Sequence, residues 1–170
     1  MSIVGFRNLR GKTVALPPEI AFLLSHAASP LMLAKAAALA RASGTDAATT
    51  LIQAGLMEEE RFYRALALTL GARFLGGTLP LGAGARFPDS LIAGVAPLAL
   101  GMGAAFVYAP RGRAIAELLQ GRSPTGLMPA ITTPTALRQA IFAQRAAGIA
   151  AHASDDLLRR RPDWAYNAAP

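Results

Sequence analysis

The sequence contains no cysteine. This absence excludes a disulfide framework, a metal site with thiolate ligands and a cysteine nucleophile. Aromatic residues make up only 6% of the chain and lie within apolar stretches. Proteins that bind single-stranded nucleic acid interleave aromatic side chains with positive charge. The net charge of +7 is spread along the chain instead, so no nucleic-acid partner is expected.

Catalytic signatures are missing as well. No P-loop is present, and the Gly101-x-Gly103 pair lacks the third glycine that opens a helix in a dinucleotide-binding turn. His26 has no second histidine or acidic residue nearby to complete a metal site. The run Glu58-Glu59-Glu60 is typical of a helix start, not of a paired acid and base. We therefore predict no catalytic residue, no metal and no cofactor. Whether the chain is part of an enzyme is left open by the sequence.

Charge is also absent from Ser90–Pro110, a stretch long enough to cross a bilayer. Glycines and one proline, however, cut it into runs of a strand's length. The turn Gly101-Met102-Gly103 lies between Val95–Leu100 and Ala104–Ala109, which is the pattern of a β-hairpin. We expect a buried hairpin here and no transmembrane span.

Two short helices are predicted in the first half of the chain, with a physical reason at each end. Asp46, or alternatively Thr45, can cap the first by accepting from its unpaired N–H groups. Gly55 and Gly71 can adopt the left-handed conformation that ends each helix. Phe62 and Leu66 lie one turn apart, on one apolar stripe of the second helix.

The pattern as a whole predicts an α+β fold in which a helical lobe packs on a small sheet lobe. Residues 1–16 are expected to form a flexible lead-in and residues 17–72 the helical lobe. Residues 73–153 are expected to form a mixed lobe, and residues 154–170 a charged tail or linker. Further helices are predicted at residues 18–25, 30–42, 113–120 and 134–150, and further strands at residues 73–75 and 127–132. Ser29 is the predicted cap of the helix at residues 30–42, and Thr133 that of the helix at residues 134–150.

Leu51, Gly55, Phe62 and Leu66 follow the spacing Leu-x3-Gly-x6-apolar-x3-Leu. In this spacing the segment resembles the small N-terminal domain of type II secretion and type IV pilus assembly ATPases, the MshE-type or GspE-type N-terminal domain. The same module occurs at the N-terminus of some bacterial family-2 glycosyltransferases. The phrases FVYAPRG, TTPTALRQAI and RRRPDW resemble that branch. The resemblance extends over residues 17–150.

The resemblance implies a non-catalytic regulatory or docking module for a family-2 glycosyltransferase of exopolysaccharide synthesis. An apolar or basic face of the helical lobe would contact the catalytic domain. Two alternatives are a receptor module for cyclic di-GMP and the N-terminal domain of a secretion or pilus ATPase. Pro17, Pro18 and Glu19 interrupt the place where a signal peptide has its apolar core. A cytoplasmic location is therefore predicted, at the inner face of the membrane if a partner holds the chain there.

Some members of the resembled family bind cyclic di-GMP through a longer motif, in which an Arg and a Gln recognise the nucleotide. In this sequence the Arg-Leu-Gly positions of the motif hold Asp46, Ala47 and Ala48, and the Gln position holds Thr69. An aspartate repels a phosphate group where the motif supplies a cation. The packing positions are therefore kept, whereas the recognition positions are lost.

A second candidate ligand site is the run Arg111-Gly112-Arg113, directly before a predicted helix. Unpaired backbone N–H groups and two guanidinium groups could hold a phosphate there. The competing interpretation is a solvated basic turn, since such turns commonly carry exposed charge.

Overall fold

The computed structural model describes residues 5–7, 13–122 and 128–146. Helices and strands alternate irregularly along the chain, and the predicted α+β class is confirmed. In chain order the elements are β1 (Gly5–Arg7), β2 (Thr13–Ala15), α1 (Pro18–Ala21), a 3-10 helix (Phe22–His26), α2 (Pro30–Ser43), α3 (Ala47–Gln53), α4 (Glu59–Leu70), α5 (Asp89–Ala93), β3 (Val95–Pro97), β4 (Phe106–Tyr108), α6 (Arg113–Leu119), β5 (Ala130–Ile131) and α7 (residues 134–146).

The predicted helix ends of the helical lobe are confirmed. The Thr49 N–H donates to Asp46 Oδ1 at 2.8 Å, so Asp46 caps α3. Gly55 follows α3 with φ +65°, and Gly71 ends α4 with φ +63°. Both glycines adopt the left-handed backbone that most side chains disfavour. Local chemistry therefore decides where these helices stop.

The main hydrophobic core joins the helices to one face of the sheet. Its largest fully buried members are Ile20, Leu23, Leu33, Leu51, Phe62, Leu66, Ile115 and Ile131. Burying each such side chain contributes about 1.5–3 kcal/mol. Because Ile131 comes from β5 and Ile115 from α6, the helical lobe shares this core with the mixed lobe.

The predicted hairpin is confirmed. β3 pairs with β4 in antiparallel fashion, with Val95 opposite Tyr108 and Pro97 opposite Phe106. β5 joins β4 in parallel, and Phe74 forms a single parallel bridge to Ile131 on the far side. The strand predicted at residues 73–75 is thus reduced to one bridge.

Successive residues of the sheet face opposite cores, as the pleat requires. Tyr108 and Ile131 belong to the main core. Val107 and Ala130, their neighbours in sequence, belong to a second core that α7 helps to close. The Ala136 N–H donates to Thr133 Oγ1 at 3.0 Å, which confirms Thr133 as the cap of α7. The sheet therefore lies between helices on both faces.

Three details differ from the predictions. Residues 1–16, for which a flexible lead-in and no strand was predicted, contain β1 and β2, which pair with Phe6 opposite Val14. These two residue types favour strands, but polar neighbours obscured the pattern. The helix predicted at residues 18–25 divides into α1 and the 3-10 helix. Ser29 stands at the cap position of α2 without a side-chain hydrogen bond.

The tail predicted at residues 154–170 and the end of α7 predicted near residue 150 lie outside the described residues. Within the part that the structure describes, no helix combines the length and the apolar character needed to cross a bilayer.

Candidate functional site

The structure brings the motif's packing positions together in the main core. Leu51, Phe62 and Leu66 have no exposed surface, and Gly55 turns the chain between α3 and α4. The Phe62 ring packs edge-on against the Phe22 ring, with 5.6 Å between centroids. Since none of these side chains reaches solvent, they maintain the fold and do not contact a ligand.

The positions that recognise a ligand in the longer motif have other tasks here. The Asp46 carboxylate caps α3, and Ala47 and Ala48 are buried. Thr69 Oγ1 lies 2.7 Å from His26 Nε2 and donates to the Ala65 carbonyl oxygen at 2.9 Å. None of these residues offers a cation to a phosphate group.

The run Arg111-Gly112-Arg113 does not form a two-arginine cradle. Arg113 Nε donates to Glu117 Oε1 at 2.9 Å, and the Arg113 side chain is 88% exposed. Gly112, at φ +49°, packs against Asp46, whose Oδ2 lies 3.4 Å from the place of a Cβ on this glycine. The turn itself therefore faces a carboxylate, and only Arg111 lines a cavity in common with other polar groups.

That cavity, which we call the interlobe cleft, has a volume of about 240 Å³. It opens between α3, the first turns of α4 and the start of α7. Its lining residues are Thr49, Ile52, Gln53, Glu59, Tyr63, Arg111, Pro134, Thr135 and Arg138. Two guanidinium groups and one carboxylate thus meet in a cleft with two threonine hydroxyls and one amide.

Tyr63 forms a buried wall of the interlobe cleft. Its hydroxyl donates to the Pro110 carbonyl oxygen at 2.7 Å. Burial is the main cause that raises the pKa of Tyr63, and the nearby Glu59 carboxylate raises it further. Arg111 acts in the opposite direction but does not offset these effects. The phenol therefore stays neutral at physiological pH and links α4 to the segment that carries Arg111.

Replacing Tyr63 with phenylalanine is expected to lower the free energy of unfolding by about 1–3 kcal/mol, because the Pro110 carbonyl loses its donor. The loss should depend on pH. The folded-state pKa lies above the unfolded value, so this stabilisation is complete below the ordinary tyrosine pKa and is lost as pH rises above it. Urea unfolding at about pH 7 and about pH 11 measures both effects. The stability gap between the two proteins should narrow at the higher pH, and a constant gap would contradict this account of Tyr63.

The outer side of α2 is the second notable surface. The inner positions Leu33, Ala36, Ala37 and Ala40 are buried in the main core. The outward positions, which we call the α2 outer face, are Leu31, Lys35, Ala38, Leu39 and Ala42. Leu31 is 78% exposed and Leu39 is 41% exposed. A surface helix normally presents polar residues to water, whereas four of these five outward positions are apolar.

The charges around this face have one sign. Lys35 lies on it and Arg41 beside it, and α2 contains no acidic residue. Of the other exposed apolar side chains, Leu68 lies on α4 in the helical lobe, and Ile92 and Leu100 lie in the mixed lobe. Single exposed apolar residues are normal on protein surfaces.

Arg138 is the site residue that the sequence did not reveal. Arg111 precedes it by a whole strand and helix, and only the folded chain places both beside Tyr63. Its one local signal is its position just after the Thr133 cap and Pro134, near the start of a helix.

Among the described residues, no group of three histidine, aspartate or glutamate side chains could hold a metal ion. The chain matches no protein-family model, and a search of the curated proteins found no match.

Proposed function

We propose that this chain is a non-catalytic docking module that binds the catalytic domain of a bacterial family-2 glycosyltransferase. The observation that carries the proposal is the α2 outer face, which is apolar and basic while the opposite side of the same helix is buried. The choice of a glycosyltransferase partner comes from the sequence resemblance. Leu51, Phe62 and Leu66, which carry this resemblance, are fully buried in the main core.

The energetics favour an apolar contact with a charged rim. Complete burial of Leu31, which is 78% exposed, would contribute about 1–2 kcal/mol, and burial of Leu39, which is 41% exposed, about 0.5–1 kcal/mol. Lys35 and Arg41 would then face the edge of the contact, where opposite charges steer association. The expected occupant is therefore a surface of the catalytic domain with apolar side chains at its centre and acidic residues around them.

Replacing Leu31 with aspartate should weaken the complex about 10- to 100-fold, the loss typical of a central interface residue. Leu31 is the second residue of α2, where a negative charge suits the positive end of the helix. The variant should therefore remain folded. The proposal expects a gene for a family-2 glycosyltransferase at the same locus. The measurement is the affinity between the purified chain and that enzyme after solubilisation in detergent.

The matched control is Leu68→Asp, on α4, because Leu68 is 72% exposed and lies outside the α2 outer face. This variant should bind as the wild type does. Equal weakening by the two substitutions, or a neighbouring gene that encodes a Walker-motif ATPase in place of a glycosyltransferase, would contradict the proposed partner.

A cyclic di-GMP receptor is the alternative function. Arg111 and Arg138 in the interlobe cleft are the observation that favours it, whereas the roles of Asp46 and Thr69 weigh against it. Calorimetric titration of the chain with cyclic di-GMP tests this alternative. Binding at micromolar concentration or tighter would support the receptor, and no heat at millimolar nucleotide would exclude it.

A further inference from the structure

We infer that the interlobe cleft binds a small molecule through a compact oxyanion, a phosphate or carboxylate group held between Arg111 and Arg138. This site would exist whether or not the α2 outer face docks a partner, since the two surfaces share no residue.

The first support is that neither arginine forms an ion pair within the described part of the chain. Among the described residues, the side-chain ion pairs are Arg64–Glu60 and Arg113–Glu117, and neither Arg111 nor Arg138 takes part in one. Both side chains are exposed yet line the same cleft. A guanidinium group presents a planar fork of donors that matches the two oxygens of a carboxylate or phosphate. Two such groups in one concave site can hold one oxyanion from two sides.

The second support is the polar lining beside the arginines. Thr49, Gln53 and Thr135 add two hydroxyls and an amide that can donate to the remaining oxygens of the ligand. The first turn of α7 contributes little on its own, because Pro134 has no N–H and the Ala136 N–H already donates to Thr133. The guanidinium groups, not the helix end, therefore provide the anchor.

The size of the cleft limits the ligand. Its volume of about 240 Å³ is below the range of about 300–1,000 Å³ that is common for ligand pockets. The cleft can enclose one oxyanion with a short substituent. A cyclic dinucleotide would have to leave most of its surface in water.

Two carboxylates restrict the ligand further. Glu59 lines the cleft, and Asp46 lies behind it, where its charge reaches Tyr63. Both would repel a second negative charge on the ligand. Glu59 could instead accept a hydrogen bond from a hydroxyl or ammonium group. The favoured ligand is therefore a singly anchored oxyanion that also carries a donor group.

Calorimetric titration of the full chain at low salt tests this site with three probes: inorganic phosphate, glycerol phosphate and glycerate. We expect glycerol phosphate to bind more tightly than inorganic phosphate, because its hydroxyls can reach Glu59. Glycerate carries similar hydroxyls on a single carboxylate, so binding of glycerate alone identifies the oxyanion as a carboxylate, and binding of the phosphates alone identifies it as a phosphate.

Four variants locate the site. Arg111→Ala and Arg138→Ala should each weaken binding at least about tenfold, since each removes a charge-assisted contact. Arg113→Ala, two residues from Arg111 but outside the cleft, should leave the affinity unchanged. Glu59→Gln should strengthen the binding of inorganic phosphate, because it removes a repulsion.

The arginines are exposed, so their removal should not unfold the chain, and circular dichroism verifies this. Three results would overturn the inference. The first is no binding of any probe at about 10 mM, a concentration at which even a site with a dissociation constant of about 1 mM would be occupied. The other two are a loss of affinity in Arg113→Ala equal to that in Arg111→Ala, and an unchanged affinity in Arg138→Ala.

Discussion

Replacing Phe62 with alanine is expected to destabilise the protein by about 3–5 kcal/mol. Phe62 is a motif position with no exposed surface. Its ring packs edge-on against Phe22, with 5.6 Å between centroids, and against Tyr63 at 5.2 Å. Removal of the ring loses its transfer free energy and leaves a cavity at the centre of the main core.

Such a loss is a large part of the total stability of a domain, which is about 5–15 kcal/mol. Urea unfolding followed by circular dichroism measures it. The control is Leu68→Ala in the same helix, where the side chain is 72% exposed. That change should stay within about 0.5 kcal/mol of the wild type. Comparable losses in the two variants would show that Phe62 is not a core anchor.

Replacing Gly94 with alanine is the second change with a large expected effect, a loss of about 2–5 kcal/mol. Gly94 ends α5 with φ +68°, and a Cβ there would lie 2.9 Å from the Ala109 carbonyl oxygen. The Gly94 carbonyl accepts from the Ala109 N–H at 2.8 Å, so the two segments cannot separate without breaking this bond. Backbone strain and a clash with backbone therefore act together.

Gly55→Ala separates these two causes. Gly55 has nearly the same conformation, φ +65°, but a Cβ there would meet nothing within 4 Å. Only the left-handed strain remains, which costs about 1–2 kcal/mol. Thermal and urea unfolding should show that the Gly94→Ala protein is clearly less stable than the Gly55→Ala protein. Equal stabilities would mean that Ala109 moves aside without cost.

The predictions that held depend on local chemistry. Asp46 and Thr133 cap helices because each is followed by unpaired N–H groups within its reach. Gly71 ends α4 because a glycine tolerates the left-handed backbone. The Gly101-Met102-Gly103 turn specifies the β3–β4 hairpin, because its two strands are neighbours in sequence.

Features that depend on distant pairs could not be predicted in this way. The parallel bridge from Phe74 to Ile131 joins two segments far apart in sequence, and no local pattern announces it. Neither residue type nor spacing revealed that Arg138 would share a cleft with Arg111. These partners are determined by how the helical lobe packs on the sheet.

The α2 outer face could be predicted from the sequence only in part. Its alternation of leucine, alanine and lysine is readable from the sequence, but apolar residues on every side of a helix leave the buried side undetermined. The contacts of Leu33, Ala36 and Ala37 with the main core decide which side faces outward.

Hydroxyl-radical footprinting of the chain, alone and bound to the glycosyltransferase encoded at its locus, tests the docking proposal most directly. Exposed leucine and isoleucine side chains are oxidised, and a partner that covers them slows the reaction. Binding should reduce the oxidation of Leu31 and Leu39 and leave the oxidation of Ile92 and Leu100 unchanged. Ile92 and Leu100 are the matched controls, because each is at least as exposed in the free chain as Leu31. If binding reduced the oxidation of Ile92 and Leu100 but left the oxidation of Leu31 and Leu39 unchanged, the result would contradict docking through the α2 outer face.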